Sequence, residues 1–263
     1  DHGVAAAESV SAYPTGVTEA MFAAYREGRS TINAFARIAG ATVDAVDVGI
    51  GRPTGDIRVE PAMDEQRFDA VVQTAFDAVD ALDCDLLVLG EIGIGNTTAS
   101  AAISASLAGG ETAAWVGRGT GIDDEGLDRK RAAVQESVRR IAGITDPIEI
   151  LREVGGAEIA AITAATVAAR RRSIPVVLDG YVVTSAVLPL NEIASTTLDH
   201  CTVGHCSAEP GHRKLLERLG KSPLLDLDMR LGEGSGAMAA VPLIAMACAG
   251  ITDVPTFDEW FGA

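Results

Sequence analysis

The residues best placed to do chemistry in this chain stand beside glycines. Glu91 falls inside GEIGIGNTT (90–98), and Lys130 follows GRGTGIDDEG (117–126). Asp179 precedes Gly180, and Glu233 stands between Gly232 and Gly234 in LGEGSGA (231–237). Glycine lets a backbone turn tightly and come close to a ligand. Where such a turn leads into a helix, free N–H groups and the positive end of the dipole favour an anion such as a phosphate. Gly93, Ile94, Gly95, Asn96 and Thr97 form one candidate cradle of this kind, with Asn96, Thr97 and Thr98 offering side-chain oxygens at the helix start. Glu91 is awkward there, because negative charge is unwelcome beside an anion; a chance acid in a tight turn is the plain alternative. Gly117, Gly119 and Gly121 form a second loop. Lys130 in the helix that follows can contact a phosphate. From the chain alone a solvated helix lysine explains it better, since Arg129, Arg131 and Arg139 stand close by.

Glu233 leads into a long apolar helix, which an ordinary solvated turn explains poorly. Asp179 ends the apolar run IPVVL (174–178), where open α/β sheets bind ligands. His205, Ser207, Glu209 and His212 cluster in the stretch before 213. Their spacing matches neither a HExxH zinc site nor a GxSxG nucleophile elbow. A capped helix start, with Ser207 or Glu209 near the N-terminus of 211–219, accounts for them. Asp1 and His2 could form an acid–base pair, a weak signal in a loop.

These residues need a scaffold, and the pattern supplies one. Leu86 to Leu89 reads as a strand buried on both faces, followed by an Ala-rich helix over 99–107. Helices are expected at about 16–28, 30–39, 64–80, 127–142, 151–172, 184–190 and 211–219. Alternation predicts a strand over 41–48, and short apolar runs predict strands over 113–116 and 174–178. Residues 1–14 and 49–61 read as loops; the GIG at 49–51 opens no helix and fails the context of a dinucleotide fingerprint. The plan of strand or turn, glycine loop and Ala-rich helix recurs. It predicts an α/β fold with a mostly parallel sheet in a Rossmann-like three-layer arrangement, Ala-rich helices on both faces, and a nucleotide-sized pocket at one sheet edge.

Bulk composition narrows the function. Hydrophobic residues make up 48% but aromatics only 4%, so the core is built from Ala, Val, Leu and Ile. A net charge of −16 argues against nucleic acid or an anionic membrane as the main partner. Cys84, Cys201, Cys206 and Cys248 match no common zinc or CxxC spacing, which fits reduced structural thiols in a cytoplasmic protein. No stretch reads as a membrane span or a signal peptide.

Taken together, DHGVAAAESVSAYP (1–14), GEIGIGNTT (90–98), GRGTGIDDEGLDRKR (117–131), GGAEIAA (155–161), PVVLDG (175–180), CSAEPGHR (206–213) and LGEGSGA (231–237) resemble the nicotinate-nucleotide:dimethylbenzimidazole phosphoribosyltransferases. The motifs span nearly the whole chain in family order. The resemblance implies transfer of the 5-phosphoribosyl group from nicotinate mononucleotide to 5,6-dimethylbenzimidazole or a related base, in cobalamin lower-ligand assembly. It implies Glu233 as general base and Glu91 as a carboxylate beside the cationic ribose. Lys130 would serve the phosphate. The peptide N–H groups of 93–97 and 117–121, with Ser207 and more weakly Asp179, would hold the phosphoribosyl group. Glu8 and Leu231 would contact the aromatic base. No cofactor and no metal are expected, because the pyridinium leaves as a neutral ring nitrogen. A homodimer is expected, as is a single α/β domain over 1–263. Helices from about 10–40 and about 237–263 would contribute to a small helical subdomain, with the family's N-terminal segment absent. The rivals are a nucleotide-binding hydrolase or dehydrogenase, which lacks its GxxxxGK[ST] or GxGxxG signature here, and a non-catalytic homologue that keeps the pocket.

Overall fold

The computed structural model describes residues 1–262. Its frame is a sheet of four parallel strands, β1 (Leu87–Leu89), β2 (Val176–Leu178), β3 (Cys201–Cys206) and β4 (Pro223–Asp226), in that order across the sheet. Leu87 pairs with Val176, Leu178 with Val203, and His205 with Leu225. Because every strand runs the same way, the loops that follow them gather at one edge. The helices are α1 (Gly3–Glu8), α2 (Val17–Arg26), α3 (Thr31–Ala39), α4 (Glu65–Asp80), α5 (Asn96–Ala108), α6 (Asp124–Arg140), α7 (Pro147–Val154), α8 (Ala157–Arg171), α9 (Tyr181–Ile193), α10 (Pro210–Leu219), α11 (Ser235–Thr252) and α12 (Phe257–Phe261).

The period of β1 sorts its side chains between two layers. Leu87 and Leu89 join the main core, with Val71 of α4, Ile103 of α5, Ile159 of α8 and Val187 of α9. Val88 points the other way, into a smaller core of Tyr25, Ile32, Ala36 and Met238. Thus α2, α3 and the start of α11 cover the face opposite α5, α8 and α9. The approach of α11 is close: a Cβ on Gly204 of β3 would lie 2.4 Å from the Ala237 Cα. Any side chain there would push α11, and with it the loop carrying Glu233, off the sheet.

Several expectations need correction. The 1–14 stretch is not all loop, since α1 occupies part of it. Residues 41–48 form no strand and pair with none; they line a cleft shared with β1. Residues 113–116 form no strand; Thr112–Trp115 is a single 3-10 turn that buries the Trp115 ring, whose Nε1 donates to the Gly109 carbonyl at 2.9 Å. The 151–172 helix is two helices, broken at Gly155 and Gly156. The strands β3 and β4 were not anticipated: β3 carries Thr, Gly and His, and β4 begins with a proline. One stretch, Ser235–Thr252, is long and apolar enough to cross a membrane by length and composition, contrary to the sequence reading. Ser235, Gly236, Ala237, Met238 and Ala240 at its start are buried in the fold, whereas Met246 and Ile251 further along are exposed.

Candidate active site

The turn after β1 and the loop before α11 meet backbone to backbone. A Cβ on Gly90 would stand 2.5 Å from the Gly234 nitrogen, so only glycine admits the contact. The Glu233 N–H donates to the Glu91 carbonyl at 3.3 Å. Two carboxylates far apart in sequence are thereby brought side by side at the C-terminal edge of the sheet.

Glu91 accepts a hydrogen bond from Asn96 Nδ2 at the start of α5. Burial raises its carboxyl well above the ordinary range, and the charges of Asp179, Glu158 and Glu233 add to the rise. Glu233 is half-buried, and burial raises its carboxyl too. Its backbone sits at φ 64°, a left-handed conformation that costs a non-glycine residue about 1 kcal/mol or more. One carboxylate oxygen, Oε2, is buried without a partner among the described residues. Strain and an orphaned acceptor thus fall on the same residue.

Asp179 explains why the strained loop holds its shape. It is 1% exposed and ends β2 directly behind the loop. Its two oxygens accept from the Gly234 N–H at 3.2 Å and the Ala237 N–H at 2.8 Å, and His205 Nε2 lies 3.3 Å away. A carboxylate at the N-terminus of α11 is favoured by the free N–H groups and the dipole alike. Through these bonds Asp179 clamps the Glu233 loop, a role beyond the phosphoribosyl contact expected of it.

On the other flank of the α5 N-terminus stands Lys130. It is fully buried, and Nζ donates to Thr97 Oγ1 at 2.8 Å and to the Gly117 carbonyl at 2.9 Å. The solvated-lysine reading from the chain alone is therefore overturned; α6 turns this one basic residue inward. Burial lowers its pKa to about 8, with the Glu209 charge opposing the drop, so it remains mostly charged at neutral pH. Glu209 also departs from expectation. It caps no helix through its side chain but reaches across to accept the Gly119 N–H at 2.9 Å. Gly121 donates to the Arg118 carbonyl at 3.0 Å.

Of the 93–97 cradle, part is free and part is spent. The Ile94 N–H donates to Asp1 Oδ1 at 3.0 Å, and the Asn96 N–H to the Gly93 carbonyl at 3.3 Å. The Gly95 and Thr97 N–H groups have no acceptor among the described residues. Ser207 directs its N–H to His212 Nδ1 at 2.8 Å, with its hydroxyl 2.9 Å from the same nitrogen. Burial lowers His212 to about 3, which leaves a neutral ring as acceptor. Asp1 and His2 do not pair with each other: His2 Nε2 lies 2.6 Å from Glu158 Oε1.

A cleft of about 660 Å³ opens at the two carboxylates. Glu91, Ile92 and Glu233 stand on its lining with Tyr25, while its apolar depth runs between β1, α4, α8 and the 41–50 stretch. Lys130, the 117–121 loop and residues 93–97 lie outside that lining. Glu8 and Leu231, expected at the aromatic base, also lie outside it. Glu8 pairs with Arg58, and Leu231 is 52% exposed beside the mouth. Sequence reasoning passed over Glu158, although Gly155 and Gly156 marked its helix start. It also passed over Tyr25, which carried no signal beyond one aromatic in an apolar helical stripe. Among the described residues no cluster of three or more His, Cys, Asp or Glu side chains is set to hold a metal ion.

A family model described as phosphoribosyltransferase, DBI_PRT, matches residues 1–260. The nicotinate-nucleotide–dimethylbenzimidazole phosphoribosyltransferase of Mesorhizobium japonicum is 52% identical over 248 residues, covering 94% of this chain and 73% of that protein. The protein of the same name from Cereibacter sphaeroides is 46% identical over 260 residues, covering 98% of this chain and 76% of its own length. Among solved structures, CobT from Thermus thermophilus superposes with a TM-score of 0.93 at 41% identity, covering 98% of this chain and 83% of that one.

Proposed function

This chain belongs to the DBI_PRT phosphoribosyltransferase family, and from that premise we propose that it moves the 5-phosphoribosyl group from nicotinate mononucleotide to 5,6-dimethylbenzimidazole. The products are α-ribazole 5′-phosphate and nicotinate. The observation that carries the reading is the contact of the Glu91 and Glu233 loops beside a helix N-terminus backed by a buried lysine.

The chemistry follows from the residues. One ring nitrogen of the acceptor attacks C1′ of the ribose from the face opposite nicotinate. The bond from C1′ to nicotinate breaks, and its electron pair stays on the pyridine nitrogen, which becomes neutral. The proton on the acceptor's other ring nitrogen passes to Glu233. A carboxyl raised by burial toward the working pH is better matched to that task than an ordinary one. The aromatic acceptor stands at the cleft mouth, with Ile92 and Leu231 beside it and its N–H against the unpaired Glu233 oxygen.

Glu91 responds to the reaction itself. In the free protein, burial and the neighbouring carboxylates favour its neutral form. An oxocarbenium-like ribose brings positive charge alongside, which favours the ionised carboxylate and is stabilised by the Glu91 oxygens whenever they are ionised before the step. The Gly95 and Thr97 N–H groups, the α5 dipole and the Lys130 charge receive the 5′-phosphate. A homodimeric, cytoplasmic enzyme completes the proposal, supported by the exposed Met246, Ile251, Phe257 and Trp260 as apolar surface for a second copy. Incubation with nicotinate mononucleotide and dimethylbenzimidazole should yield α-ribazole 5′-phosphate by mass. Binding of both substrates without product would overturn the catalytic reading in favour of a sensor.

A further inference from the structure

We propose that Tyr25 is a positioning residue for Glu233, its hydroxyl donating to the carboxylate that takes the acceptor's proton. The proposal rests on the reading of Glu233 as general base. Both residues stand on the lining of the same cleft. The Tyr25 hydroxyl and Glu233 Oε2 are each buried, and neither has a hydrogen-bond partner among the described residues. A buried donor and a buried acceptor left alone are each costly, and these two are chemically complementary.

The tyrosine is placed with care. Its carbonyl at the end of α2 accepts from Asn33 Nδ2 at 3.0 Å. Asn33 in turn belongs to the capping box that Ser30 forms at the start of α3. The ring packs with Ile32, Ala36 and Met238, and Met238 lies in the first turns of the helix that the Glu233 loop opens. Ring and carboxylate are thus tied to one helix N-terminus.

The groups already sense each other. Burial, then the Glu233 and Glu91 charges, push the Tyr25 hydroxyl up. Burial raises Glu233, and the nearby hydroxyl pulls it back down. The two are near enough to interact, yet no hydrogen bond joins them in this structure. The other groups facing Glu233 are Asp179 from the end of β2, which raises it, and Glu91 from the end of β1. Glu158 stands behind Glu91 and His205 behind Asp179. Tyr25 is the one neighbour in this set that offers a proton to the carboxylate. The small helical layer, rather than the sheet, therefore tunes the base.

The test reads Glu233 directly. In the full chain with carbon-13-labelled glutamate, the Glu233 carboxyl is titrated by NMR, its signal assigned by its loss in Glu233→Gln. Tyr25→Phe should raise the midpoint by about half to one pH unit. The acid limb of kcat/KM should move up with it, at unchanged KM for nicotinate mononucleotide. An unmoved midpoint, or a lower kcat with the limb in place, overturns the proposal. If Tyr25→Phe proves unstable, 3-fluorotyrosine at position 25 keeps ring and hydroxyl and donates more strongly. It should lower the midpoint, and no shift there overturns the proposal equally. If Glu233→Gln keeps full turnover while Tyr25→Phe moves the midpoint, the pairing stands and the general-base reading falls.

Discussion

The turn at 90–98 and the loop at 231–236 touch, yet they solve opposite problems. In the first, the charged and polar side chains facing the site are partnered, Glu91 with Asn96 and Thr97 with Lys130, while the Gly95 and Thr97 N–H groups and the Thr98 hydroxyl are left without partners among the described residues. In the second, the backbone is clamped by Asp179 while the side chain is left strained and with an oxygen unpaired. A partnered turn suits a part that must hold a phosphoribosyl group in one place. An unpartnered carboxylate on a fixed backbone suits a part that must exchange a proton with a substrate. The division of labour is written in which kind of atom remains unsatisfied, backbone donors in the first loop and a carboxylate oxygen in the second.

The comparison is broken most directly at Glu233. Replacing it with Gln keeps the shape and removes the base, so kcat should fall by about 10²–10⁴-fold with KM nearly unchanged. A proportional rise in KM instead would make the loop a holder like its neighbour. Lys130→Met tests the holding side. Loss of a charge-assisted contact worth about 1.5–3 kcal/mol should raise KM for nicotinate mononucleotide by about 10- to 150-fold, with a smaller change in kcat. In the parent protein the same KM should climb as pH passes about 8, where the buried lysine loses its proton.

Glu91→Gln sharpens the contrast through stability. The folded protein holds the Glu91 carboxyl above its unfolded value, so its contribution is fully present in acid and is lost as pH rises through the folded pKa. Melting temperatures of parent and variant should coincide at low pH and separate upward, the variant becoming the more stable while losing activity. Parallel curves across the pH range would remove the strained-carboxylate reading of the 90–98 turn.

The frame was legible where local pattern and tertiary structure agreed. The apolar run before Gly90, the helix over 96–108 and the glycine loops stand where their types predict, because a parallel strand and a tight turn leave compositional traces, whereas the Ala-rich 151–172 stretch is split in two and β1 is only partly buried at the sheet edge. The 41–48 stretch shows the limit: its alternation is real, but a strand needs a hydrogen-bonding neighbour, which no local pattern supplies. Residue types marked Glu91, Lys130 and Glu233 for attention. Contacts across the chain determined what each can do. Nothing in the sequence around Lys130 says that α6 turns it inward while its arginine neighbours stay outside, and nothing near Asp179 says that its oxygens accept from the start of α11. Tyr25 was invisible for the same reason, since its meaning lies in a residue 208 positions further on.

Glu8 offers the smallest effect. Its carboxylate pairs with Arg58, which also binds Asp56 bidentately, with Nη2–Oδ2 at 2.6 Å. Because Arg58 keeps Asp56, Glu8→Gln removes one of several partly exposed charges. That should cost about 1 kcal/mol or less, and at most about 3 °C in Tm. If the Glu8 side chain is bound up in this surface network, choice between benzimidazole and purine acceptors should not change in the variant. A changed preference would mean that Glu8 leaves Arg58 when substrate arrives, and that α1 closes over the cleft mouth. The aromatic pocket would then be a third region, assembled on binding, beside one loop partnered in advance and one left open.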